Sequence, residues 1–137
     1  MSIYRIVFPL LLVCIFSENS FSQNTAAKPF LKFGNVPPIG TNVIITDYDM
    51  VLSNPQFICT GGEVISFILS FQPRAKDFVG PFKTKGDRLT DEEIAVFKRL
   101  RYERVERVQV FFEEIKIKKP DGLIRTAAPL TFTIIPK

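Results

Sequence analysis

Asp47 and Asp49 come closest to a reactive pair, because two residues apart they share one side if the run around them is a strand. Carboxylates so placed can bind a hard cation or divide acid and base roles. A calcium loop, however, draws about six oxygens from a turning, Asp/Asn-rich segment, and none adjoins them. The pair therefore reads as a solvated face. The chain contains no His, which removes the usual general base, the nucleophilic dyads built on it and most zinc sites. Cys59, next to Phe57 and Ile58, reads as a small apolar core residue. Gly61-Gly62 and Lys85-Gly86 lack the glycine spacing and the following helix of a phosphate loop, so they read as turns. No catalytic residue, cofactor or metal ligand is expected.

Cations are the stronger signal. Lys98, Arg99, Arg101, Arg104 and Arg107 fall in one short stretch, and Lys116 and Lys118 alternate along a later strand-like run. Together they form the candidate partner-binding set, a basic patch able to steer an acidic protein. The overall charge is modest, +4 from 18 Lys and Arg against 14 Asp and Glu. A nucleic-acid binder would show a basic stripe on a recognisable module, so no nucleic-acid partner is expected.

The elements that must position these residues follow from local pattern. Thr90-Asp-Glu-Glu93 has the spacing of a capping box. It opens a helix over 91–101, with acids in the first turn, bases in the last, and Ile94, Phe97, Leu100 and the stem of Arg101 facing inward. Glu63 to Gln72 alternates Ile65, Phe67, Leu69 and Phe71 against Ser66, Ser70 and Gln72, the clearest half-buried strand. Val43 to Leu52 reads as a strand pair or one long bent strand, and a short strand is expected around Phe57 to Cys59. Residues 24–41 read as an extended arm, and Pro73, Gly80, Pro81 and Gly86 as marks of a loop.

Two further strand-like runs flank Pro120-Asp121-Gly122, whose residue types suit a hairpin turn. The first has its apolar set on even numbers (Val108, Val110, Phe112) and then on odd ones (Ile115, Ile117). A strand cannot change its inward parity without an extra residue, so a β-bulge is expected near Glu113. The chain is predicted to be mainly β (α+β), an antiparallel β-sandwich-like domain with one short helix and a C-terminal β-hairpin.

This C-terminal segment also carries a resemblance. Val110-x-Phe112, the acids Glu113 and Glu114, Ile115-Lys116, then Pro120-Asp121-Gly122, Arg125 and Pro129-Leu-x-Phe-x-Ile134 resemble the C-terminal domain of the gliding-motility protein GldM, called PorM in some bacteria. Upstream, Asp47-Tyr-Asp-Met50 is similar to that family's acid-aromatic strand start, and Lys98-Arg-Leu-Arg101 to its basic helix end. The chain departs from the pattern where Tyr102-Glu-Arg-Val105 replaces an expected Gly and where Lys119 replaces the Gly before the turn. The resemblance implies a non-enzymatic periplasmic protein–protein interaction module. It also implies a role as an accessory of type IX secretion or gliding machinery, with that machinery's ring components as partners.

The N-terminus reads as a secretory signal peptide over 1–22: Arg5, an apolar run from Ile6 to Phe16, and a small-x-small ending at Ser20-Phe-Ser22, with cleavage between Ser22 and Gln23. The apolar run is short of the roughly 20 residues of a membrane span, and the surroundings of Cys14 do not suit a lipid anchor. Cleavage leaves about 115 residues, the size of one domain. The expected organisation is a signal peptide (1–22), an arm (23–42) and a single β domain (43–137), periplasmic or secreted, with no membrane span after cleavage. Without Cys14 only Cys59 remains, so stability must come from burial, mostly of Phe, Val and Ile. The partner is expected to be an envelope protein or a second copy in a homodimer, with either the arm from Thr25 to Thr41 or the strand from Leu130 to Ile135 as an open edge. The alternative is a secreted β-sandwich domain that binds a small ligand or glycan between its sheets or on the loop from Phe78 to Arg88. The chain has no Trp, which weakens the glycan case.

Overall fold

The computed structural model describes residues 30–37 and 43–137; the segment read as a signal peptide, with the cleavage expected between Ser22 and Gln23, and part of the arm lie outside them. In chain order the elements are β1 (Leu31–Phe33), β2 (Val43–Ile45), α1 (Asp49–Leu52), β3 (Phe57–Cys59), β4 (Glu63–Pro73) and β5 (Val79–Lys85). They continue with α2 (Asp91–Tyr102), β6 (Val108–Lys118), β7 (Ile124–Thr126) and β8 (Leu130–Ile134). The main sheet runs β2-β8-β6-β4-β5, with β7 also on β6, and β1 and β3 form a separate two-stranded ribbon. Every pairing is antiparallel except β2 with β8. The fold is mainly β, as the sequence patterns predict.

One face of the main sheet carries the core. Phe67, Leu69 and Phe71 from β4, Val110 and Phe112 from β6, and Phe132 and Ile134 from β8 are all buried. The ribbon lies on this face through Phe33, stacked 4.6 Å from Phe112, and Phe57, 5.1 Å from Phe67. Helix α2 lies on it through Phe97, edge-on to Phe71 at 4.8 Å. On the other face, described side chains such as Ile68, Gln109, Phe111, Glu113 and Thr131 stay exposed or half-buried, Ser70 excepted.

The expected bulge is present. Ile68 pairs with Glu113 and Ser66 with Lys116, so β6 spends an extra residue there, and Glu114 takes a left-handed φ of 47°. A second irregularity on β4, between Val64 and Ser66, restores the register. Inward parity therefore flips on both strands: Val64 is buried and Ile65, expected inward, is only half-buried. The turn also forms as read. Gly122 N–H donates to Lys119 O at 2.9 Å, Leu123 N–H to Asp121 Oδ1 at 2.9 Å, and Gly122 has φ +90°. Beyond it, β7 and β8 follow β6 with a break at Ala127 to Pro129, opposite the bulge.

Four expectations need correction. Residues 47–52 are not strand: Asp47 Oδ1 accepts the Asp49 N–H at 2.9 Å, and Leu52 N–H donates to Tyr48 O at 2.9 Å. This Asx turn starts α1 where an extended run was expected. The Pro- and Gly-punctuated stretch after Pro73 contains β5, because an edge strand tolerates Pro81 where it bulges against β4. The final strand is no edge, since β2 covers it in parallel register from Val43 opposite Phe132 to Ile45 opposite Ile134. Part of the arm belongs to the domain: β1 pairs with β3, and Phe33 and Val36 are in the core.

Helix α2 begins with the complete box: Thr90 Oγ1 accepts the Glu93 N–H at 3.2 Å, and Glu93 Oε1 accepts the Thr90 N–H at 2.9 Å. Its buried face is Glu93, Val96, Phe97 and Leu100; Ile94 is half-buried and Arg101 exposed. The stripe is thus turned toward Val96, because the helix must seat Phe97 on Phe71. The helix closes with Arg104 N–H to Arg101 O at 3.1 Å and Val105 N–H to Leu100 O at 3.4 Å. That is the Schellman pattern. Its left-handed position, usually Gly, is filled by Arg104 at φ 53°.

Candidate functional site

The predicted basic patch divides among separate places. Arg99 lies 3.6 Å from Glu103, which also takes a 2.7 Å hydrogen bond from Lys76. The Lys76 bond holds the Glu103 carboxyl below its usual range. These charges line a cleft of about 490 Å³ with Pro73 and Val79, and they largely compensate one another. Lys98 is exposed on the outer side of α2, and Arg107 is exposed where its backbone carbonyl accepts the Arg74 N–H at 2.8 Å. Lys116 donates to Thr126 Oγ1 at 2.7 Å and borders a groove of about 240 Å³ on the open sheet face, with Lys83, Lys85 and Glu114. Lys118 is exposed near the hairpin tip.

Arg101 and Arg104 do come together. They line a pocket of about 420 Å³ with Thr46, Asp47, Tyr48, Val105, Pro136 and Lys137. Three structural devices build it. The Asx turn at Asp47 swings Tyr48 inward, the Schellman end of α2 presents Arg104, and the Ile135 N–H bonded to Ile45 O at 2.9 Å brings the tail alongside. Arg101 Nη1 donates to Asp49 Oδ1 at 3.0 Å across the rim. Tyr48 is 2% exposed and its hydroxyl has no hydrogen-bond partner. Burial pushes that hydroxyl up to about 12, against an opposing pull from Arg101. An unpartnered buried hydroxyl costs about 1–3 kcal/mol.

Asp47 and Asp49 are thus committed to an N–H and to a guanidinium. Cys59 is half-buried with its thiol pushed up by burial, which disfavours the reactive thiolate. Among the described residues no three His, Cys, Asp or Glu side chains converge on a metal-sized site, and no helix is long and apolar enough to cross a membrane.

Sequence reasoning missed the apolar tip of the hairpin. Leu123 and Ile124 are 63% and 57% exposed, with Lys118, Lys119 and Arg125 beside them. Within the described structure β7 pairs with β6 alone, so its outer edge is open. The signal was available as two apolar residues directly after a turn glycine. Neither a protein-family model nor a curated protein matches the chain by sequence.

Proposed function

We propose that this chain is a non-enzymatic protein–protein interaction module of the cell envelope. In this reading it is exported by its leader, acts in the periplasm or outside the cell, and is an accessory of type IX secretion or gliding machinery. The machinery is suggested by the residues shared with the GldM C-terminal domain. The observation that carries an interaction role is the hairpin tip, where Leu123 and Ile124 stand exposed among Lys118, Lys119 and Arg125. Exposed apolar side chains beside three cations, with Asp121 the carboxylate in the turn itself, suit a partner with an apolar centre and a mainly acidic rim.

A crosslinked pull-down of the tagged chain from residue 23 to 137, from its own envelope, tests this reading. Recovery of type IX ring components that is lost with Leu123→Asp/Ile124→Asp supports it. Recovery of none of them, or capture indifferent to the double substitution, counts against it.

A further inference from the structure

The hairpin tip runs into β7, and the hydrogen bonds around β7 fix which of its backbone groups are free. Lys119 N–H donates to Leu123 O at 2.8 Å and Ala127 N–H to Ile115 O at 2.8 Å. Between these two, Ile117 pairs with Arg125, and bonded pairs alternate with non-bonded ones along an antiparallel ladder. Arg125 therefore spends its N–H and C=O on β6. Ile124 and Thr126 turn theirs the other way, toward an edge that no described strand covers. All of β7 is exposed. We propose that the partner docks here by adding an extended acidic segment to β7 as a further strand. The proposal rests on the tip being the interaction surface, and it names the mode and the chemistry of that contact.

The other open edges suit strand addition less well. Pro81 and a register shift interrupt β5, and both blunt an edge. In β2 the Ile45 carbonyl already accepts from Ile135, so only Ile44 turns its backbone outward. Charge selects the occupant of the β7 edge. Lys116 Nζ reaches across to Thr126 Oγ1 at 2.7 Å, Lys118 stands opposite Ile124, and Arg125 projects from the other face of β7. Among the described residues none of these cations is in an ion pair. The nearby carboxylates are placed elsewhere: Asp121 Oδ1 accepts the Leu123 N–H in the turn, and Glu63 faces Lys118 from β4, across β6 from the open edge. A second copy pairing through its own β7 would set these cations against themselves, so an acidic segment fits and self-pairing does not.

Calorimetric titration of the chain from residue 23 to 137 with an acetylated, amidated Glu-Val-Glu-Val-Glu-Val peptide tests the proposal. Saturable binding is expected, and Thr126→Pro, which removes an outward N–H but no bond to β6, should weaken it about tenfold. Thr126→Val loses the hydroxyl, keeps the N–H and should bind as the parent does. A second measurement alters the ligand alone. Because an added strand turns alternate residues toward β7, the peptide N-methylated at its Val residues and the one N-methylated at its Glu residues should differ, one binding and the other not. A Lys-Val-Lys-Val-Lys-Val peptide should fail to bind. No saturable binding, equal binding of the Lys peptide, binding unchanged in Thr126→Pro, or full binding of both N-methylated forms overturns strand addition. If the peptide fails while envelope capture still depends on Leu123 and Ile124, the tip reading stands without it; capture indifferent to the tip counts against that reading whatever the peptide does.

Discussion

Two buried side chains hold an oxygen that nothing in the described fold satisfies, Tyr48 through its hydroxyl and Glu93 through Oε2. The Glu93 case has a local account: Oε1 is spent on Thr90, accepting its N–H and its hydroxyl at 2.9 and 3.0 Å, and that geometry fixes where Oε2 must lie. Removing the box should be measurable. Thr90→Ala is expected to lower unfolding free energy by about 1 kcal/mol in urea titrations. Tyr48 makes a pH prediction. It is neutral when protonated, and its folded value of about 12 exceeds the ordinary 10.0. The contribution is therefore fully present below pH 10 and is lost as pH rises toward 12, because the unfolded chain releases its proton first. Thermal melts across that range should show a fall that is flatter in Tyr48→Phe; identical slopes would contradict this account.

Among the elements, β1 shows how little length is needed once an aromatic is well placed. Its 3 residues carry Phe33, which lies 4.9 Å from Phe57 and stacks on Phe112. Gly34 then turns the chain at φ +54°, with a Cβ there meeting Asn54 O at 2.8 Å and Met50 O at 2.9 Å. Only Gly passes so close to that backbone. Phe33→Ala is expected to cost about 3–5 kcal/mol, as for other buried phenylalanines. A chain beginning after residue 36 should fail to show a cooperative melt. A melt like the parent's would place β1 outside the cooperative unit. The paired irregularities of β4 and β6 work at the same scale: each alone would turn an apolar set to solvent, whereas together they keep Val64, Ile115 and Ile117 buried.

At the scale of the molecule the sheet is asymmetric. Ribbon and helix α2 cover one face, and the described residues leave the other, with Phe111 and Ile68, half-buried or exposed except at Ser70. Among the described residues, strand edges are open at β2, β5 and β7. The interaction role rests on surface that the core does not use, so it should separate from stability. Leu123→Asp/Ile124→Asp is expected to stay within about 0.5 kcal/mol of the parent in unfolding free energy while losing envelope partners in the pull-down. A large loss of stability would mean that the tip is structural.

What the sequence by itself determined is what a few neighbouring residues decide among themselves. The Thr90–Glu93 box, the Pro120-Asp121-Gly122 turn and the parity change at Glu113 are each set by hydrogen bonds or steric limits within a few positions. The absence of His likewise narrowed the chemistry before any fold was known. Only the tertiary structure decided that β2 closes the β8 edge, that part of the arm enters the core, and that the cations disperse. It alone set the Tyr48 hydroxyl beside Arg101. Those outcomes join segments far apart in the chain, where pairing depends on which strand edge and which apolar surface remain uncovered after the local elements have formed. At Asp47 the local signal was present, but an acid-aromatic alternation suits a strand as well as an Asx turn. Tertiary contacts made the choice, through Tyr48 in the core and Asp49 on Arg101.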